Sequence, residues 1–137
     1  MQNKTIESSI NRYESMAIVY RDDLAIFHDA RVNFGWAEQN LEVQTREFTA
    51  LYLEDNDGEL PGKNEGERKA LRESYLLLKL KDAQEKIVEM SDVLRTAEDN
   101  MEISRLSMRV AENIVSSYVR VYEVEGLVLT EESTKSE

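Results

Sequence analysis

A chain of 137 residues that is 41% hydrophobic and 33% charged, with one proline and no cysteine, has room for a single domain of ordinary size. Without cysteine there is no disulfide scaffold, no thiolate metal site and no cysteine nucleophile. A net charge of −11 repels nucleic acid and other polyanions, and no apolar run is long enough for a leader or a membrane span, so an acidic cytoplasmic protein is expected.

From Ile6 onward one apolar residue recurs at every seventh position, through Tyr13, Tyr20, Phe27, Phe34, Leu41 and Phe48. Four places after each stands a second series, Ile10, Ala17, Leu24, Arg31, Glu38, Thr45 and Tyr52, apolar at its ends and polar in its middle. This 4-3 alternation brings a pair back to the same side of a helix every two turns, which is the spacing of a coiled-coil seam. It predicts a helix over residues 3–53. The turn at residues 54–63 follows, where acidic residues surround Gly58, Pro61 and Gly62 and no helix survives.

A second helix opens at Asn64, whose side chain caps the N–H of Glu67, with Glu67 itself three residues on as in a capping box. Its 4-3 pattern is the cleanest in the chain. Leu80, Ile87, Leu94, Met101, Met108, Val115 and Tyr122 form one series, with Leu76, Ala83, Met90, Ala97, Ser104, Ala111 and Tyr118 as the other. The helix is predicted over 64–125, with Gly126 as its stop and residues 130–137 as a disordered acidic tail beyond a single domain of 1–129.

Helices of these lengths would be roughly 75 and 90 Å long at ~1.5 Å per residue, and a connection of about ten residues forces the second back beside the first. The expected fold class is therefore all-α: a long antiparallel helical hairpin of coiled-coil type, with the aromatic seam of the first helix set against a seam rich in Ala and Met. A two-helix seam leaves apolar residues uncovered, among them Met16, Ile18, Val19, Ile26 and Trp36 on the first helix and Ile103, Leu106, Val110, Ile114 and Val121 on the second. In a hairpin turning near Gly58 these fall toward the end away from the turn. They predict a homodimer interface that completes a four-helix bundle, since a two-fold lets one patch cover itself.

No constellation for catalysis emerges. The only histidine, His28, has neither Glu-x-x-His nor His-x-x-x-His around it, so a bundle-type metal site is not predicted. If Gly58 is placed sixth in a calcium loop, Leu53 comes first and Asn64 twelfth, and both essential carboxylates are missing. The Gly-rich stretch before Asn64 lacks the lysine–hydroxyl pair of a phosphate loop. No enzyme activity, cofactor, metal or membrane contact is expected. Candidate partner contacts are the basic cluster Arg68, Lys69 and Arg72 near the turn, and Leu127, Val128 and Leu129, which have no seam partner.

The run Gly62-Lys63-Asn64-Glu65-Gly66-Glu67-Arg68-Lys69-Ala70 resembles the turn of small helical-hairpin proteins of tailed bacteriophages, in which Gly-Lys-Asn-Glu-x-x-Arg-x-Ala joins two long helices. The resemblance implies a phage accessory protein working in the host cytoplasm by binding and not by catalysis. The function expected from the sequence is thus a protein-interaction module, an adaptor or inhibitor of a host or phage protein complex. The alternative is an acidic DNA mimic occupying the basic groove of a nucleic-acid enzyme.

Overall fold

The computed structural model describes the backbone of residues 2–135 and the side chains of residues 4–125. Three helices follow in order: α1 (Gln2–Asp55), α2 (Glu65–Lys79) and α3 (Lys81–Lys135). The two long ones, α1 and α3, pack against each other in an all-helical, hairpin-like fold. Contacts divide the chain into two compact units, one of residues 28–96 and one that joins 1–27 to 97–137, so α1 and α3 contribute to both.

The unit of residues 28–96 contains the turn. Helix α1 ends in a Schellman motif, in which Gly58 N–H donates to the Leu53 carbonyl at 2.8 Å and Asp57 N–H to Glu54 at 3.1 Å. Asp57 takes the left-handed position at φ 55°, with Gly58 following at 78°. Gly62, at φ 131°, then brings the chain so close to the start of α2 that a Cβ there would lie 2.8 Å from Arg68 N. Asn64 is the N-cap: its Oδ1 accepts from Glu67 N–H at 2.8 Å. The reciprocal bond of the expected capping box is displaced by one residue, because the Glu67 carboxylate accepts from Lys63 N–H at 3.3 Å and not from the cap residue itself.

Within this unit α1 and the α2–α3 arm run antiparallel, with the rings of Tyr52 and Tyr75 in contact near the turn and Leu41 sharing a hollow with Ile87 further along. Its core is Ala30, Ala37, Tyr52, Leu80 and Ala83. The continuous helix expected over 64–125 is broken at Leu80 (φ −97°, ψ 3°), which separates α2 from α3. Neither Gly nor Pro stands there. The ladder is kept on both sides, Leu80 N–H donating to Leu76 and Gln84 N–H to Leu80, so the break is a local bend at the most buried leucine.

In the unit formed by 1–27 and 97–137, Ala97, Ser104 and Ala111 are the deepest residues, at 3–5% exposure. Opposing them, Ile6, Tyr13, Tyr20 and Phe27 of α1 are half-buried. Bulky rings over small residues let the two backbones approach while burying apolar area, at ~25 cal/mol per Å2. Ser104, the one polar member of the second seam, has its hydroxyl satisfied internally, donating to the Met101 carbonyl at 3.0 Å. The helical arms of this unit are again antiparallel: Tyr20 lies near Arg105, and Ile6 and Ile10 share a hollow with Val119 and Tyr122.

Two details of the seam differ from the sequence reading. On α1 the second contact position in the middle of the helix is not Arg31 and Glu38, which are exposed, but Ala30 and Ala37, three residues after Phe27 and Phe34. By Tyr52, four residues after Phe48 and 6% exposed, the contact has returned to the expected position, so the change is local to the middle of the helix. On α3 the seam fades after Val115, with Tyr118 and Tyr122 exposed at 37% and 60%. Helix α3 also continues through Gly126 to Lys135, past the stop expected at Gly126 and into the stretch expected to be a disordered tail. Glycine inside a helix costs about 1 kcal/mol relative to alanine, a penalty that lowers stability without ending the hydrogen-bond ladder.

Candidate functional site

The surface of both units carries apolar side chains that the seam does not use. Of the residues predicted to form an interface, Ile18, Val19, Ile26, Trp36, Ile103, Leu106, Val110, Ile114 and Val121 are exposed, Trp36 at 65%. Met16 is half-buried, between Tyr13 and Tyr20 on the same side of α1. Exposed apolar residues are not confined to the end away from the turn: Val32, Val43, Leu71, Leu77, Leu78, Val88 and Val93 lie in the unit of residues 28–96.

Leu77 and Leu78 escape a reading based on the seam alone, and at 63% and 78% they are among the most exposed leucines of the chain. The signal that finds them is the run Leu76-Leu77-Leu78. At about 100° per residue three consecutive leucines cannot share one stripe, so two of them must point away.

The basic cluster is brought together as expected. Arg68, Lys69 and Arg72 line one hollow with Leu60 and Glu65. Part of its charge is already engaged, since Arg68 Nε donates to the Gly62 carbonyl at 3.3 Å and Lys69 pairs with Glu73 at 3.9 Å. The side chains of Leu127, Val128 and Leu129 lie outside the described residues.

Elsewhere the charges pair along their own helices. Arg46 bonds Glu42, Arg95 bonds Asp92 at 3.1 Å, and Arg105 bonds Glu102 at 2.8 Å. The hydrogen bond to Glu102, and after it that carboxylate's charge, raise the Arg105 guanidinium above its ordinary pKa, so it is a fixed cation at any working pH. Among the described residues no group of His, Asp and Glu is arranged to hold a metal ion, and no helix is long and apolar enough to cross a membrane. His28 is exposed on α1.

What this geometry can do chemically is present apolar stripes, flanked by paired charges, to another apolar surface. No family model matches the chain, and no curated protein or solved structure does either.

Proposed function

We propose that the chain is a non-enzymatic protein-interaction module, a helical hairpin that pairs with a second copy into a four-helix bundle and holds a further protein as an adaptor or inhibitor. The observation that carries this reading is the set of large apolar side chains left exposed on both long helices, from Ile18 to Trp36 on α1 and from Ile103 to Val124 on α3. Exposed apolar area on this scale marks an interaction surface. The resemblance of residues 62–70 to the turn of phage hairpin proteins supports reading the module as a phage accessory protein acting in the host cytoplasm.

The DNA-mimic alternative requires dense rows of unpaired carboxylate. Here five carboxylates among the described residues pair with cations at i,i+3 or i,i+4, as in Glu42–Arg46, Lys86–Glu89 and Asp92–Arg95, which interrupts such rows along both long helices. Affinity capture from the native host, followed by mass spectrometry, tests both readings when repeated at about 50 and about 300 mM salt, because screening weakens charge-driven binding and leaves apolar recognition in place. Retention of the same protein at both concentrations supports the module. Loss of a nucleic-acid enzyme at the higher one overturns it in favour of mimicry.

A further inference from the structure

The outer side of α3 carries a second heptad register, separate from the seam that packs on α1. Ile103, Val110, Ser117 and Val124 recur at every seventh position. Ser107, Ile114 and Val121 stand four residues after the first three, so the 4-3 alternation is complete over three heptads, about 100° round the helix from the Ala97–Ser104–Ala111 line. The apolar members are 39–63% exposed. From Asn100 to Tyr118 no charged residue occupies this register or its solvent-side flank, which is formed by Leu106 and Asn113, in a chain that is 33% charged.

One feature of this face points to a helix as its occupant. Val110, Asn113, Ile114 and Ser117 border a shallow hollow of about 360 Å3. Residues at i, i+3, i+4 and i+7 form the diamond that, in a coiled coil, receives one side chain from the facing helix. Tyr118 completes its rim, and the hollow, open to solvent, has the outline of a hole for knobs-into-holes packing at the centre of the charge-free face.

The face is also complementary to itself. Reversing the helix about Glu112 sets Ile103 opposite the partner's Val121, Val110 opposite the partner's Ile114, and Ser107 opposite the partner's Ser117. Apolar meets apolar and hydroxyl meets hydroxyl at each of these layers, while Val124 at the end of the register falls opposite the partner's Asn100. Ile103, Leu106, Val110, Ile114, Val121 and Val124 hold on the order of 600 Å2 of exposed side chain, so two copies would bury roughly 1,200 Å2, the lower bound for a specific interface. The matching stripe on α1, through Ile18, Ala25 and Val32, is interrupted by Asp22 and Asp29, which the same antiparallel pairing would bury against apolar side chains without a cation.

We propose that a second copy of this chain seats on this face, α3 against α3, antiparallel about Glu112, with Val110 of each copy filling the hollow of the other. The antiparallel sense opposes the two helix dipoles, where a parallel pair would align them. The inference rests on the homodimer reading above and names the surface and register through which it is met.

The test uses the full chain, whose lack of cysteine makes single-cysteine variants clean reporters. Wild type is expected to sediment as a dimer at about 50 micromolar, while Val110→Glu and, separately, Leu106→Glu sediment as monomers with unchanged helical circular dichroism, an affinity loss of roughly tenfold or more. Asn113→Cys, whose two copies flank the dyad, should link to itself through a short bismaleimide. Ser117→Cys, whose copies stand about 15 Å apart along the axis in this register, should not. A dimer that withstands both glutamates overturns this face and leaves self-association standing. Faster linkage at Ser117→Cys than at Asn113→Cys overturns the antiparallel register, and a monomeric wild type overturns self-association altogether, with capture of other proteins read independently.

Discussion

The rings of Tyr52 and Tyr75 lie with their centroids 4.7 Å apart and their planes tilted by 36°, joining the end of α1 to the middle of α2 across the turn. Tyr52 is 6% exposed, yet its hydroxyl is buried with no hydrogen-bond partner among the described residues. An unsatisfied buried hydroxyl costs about 1–3 kcal/mol, so Tyr52→Phe should keep the ring contact and raise stability by about 1 kcal/mol in urea unfolding. Tyr52→Ala should lower it by about 3 kcal/mol. A destabilised Tyr52→Phe would mean that the hydroxyl has a partner.

Three glycines should respond differently to alanine. At Gly35, in the middle of α1 with open space where a Cβ would go, alanine should stabilise by about 0.5–1 kcal/mol. At Gly58 (φ 78°) it should cost about 1 kcal/mol, for conformational reasons alone. At Gly62 the cost should be the largest, about 2 kcal/mol or more, because a positive φ and the approach to Arg68 N act together. Thermal melting of the three variants checks the order, a change of 1 kcal/mol being about 3 °C at this size.

The cap of α2 offers a smaller and cleaner effect. Asn64→Ala removes the bond to Glu67 N–H and should cost about 1 kcal/mol, whereas Asn64→Asp or Asn64→Ser should retain most of it. Equal stability of the three variants in denaturant titration would show that the side-chain bond contributes nothing.

Ser104 sits among alanines, 5% exposed, its hydroxyl bonded back to Met101. Ser104→Ala should therefore be within about 1 kcal/mol of wild type, since the donor and its desolvation leave together. Ser104→Leu should cost about 1–3 kcal/mol by overpacking a buried position of the seam. Urea titration of both variants separates a site chosen for size from one chosen for polarity.

The main seam is legible in the sequence where one series is uniformly bulky, as from Ile6 to Phe48, and the other is small at all places but Met90, as from Ala83 to Ala111. Ala30 and Ala37 are harder to read, because alanine is at home on a core face and on a solvated one alike, and only the partner helix distinguishes the two. The bend at Leu80 has no local cause in glycine or proline, so periodicity alone runs straight through it. The exposed stripes of the candidate surface are legible as residues the seam could not absorb. Their spread into the unit of residues 28–96 is not, because Val88 and Val93 stand beside the seam residues Ile87 and Leu94, and composition does not tell an exposed valine from a buried one.

The division into two units sets the order in which the chain can organise. Residues 28–96 form one compact unit among themselves, while residues 1–27 form theirs with 97–137. During synthesis at about 5–20 residues per second, the first stretch therefore waits roughly 4–14 s with Tyr13, Tyr20 and Phe27 uncovered until its counterpart emerges. By then the intervening residues have organised, so joining the two ends closes a shortened effective loop at reduced entropic cost. The earliest-made part of the chain is thus the last to be sheltered, and during that interval its aromatic face is open to chaperones.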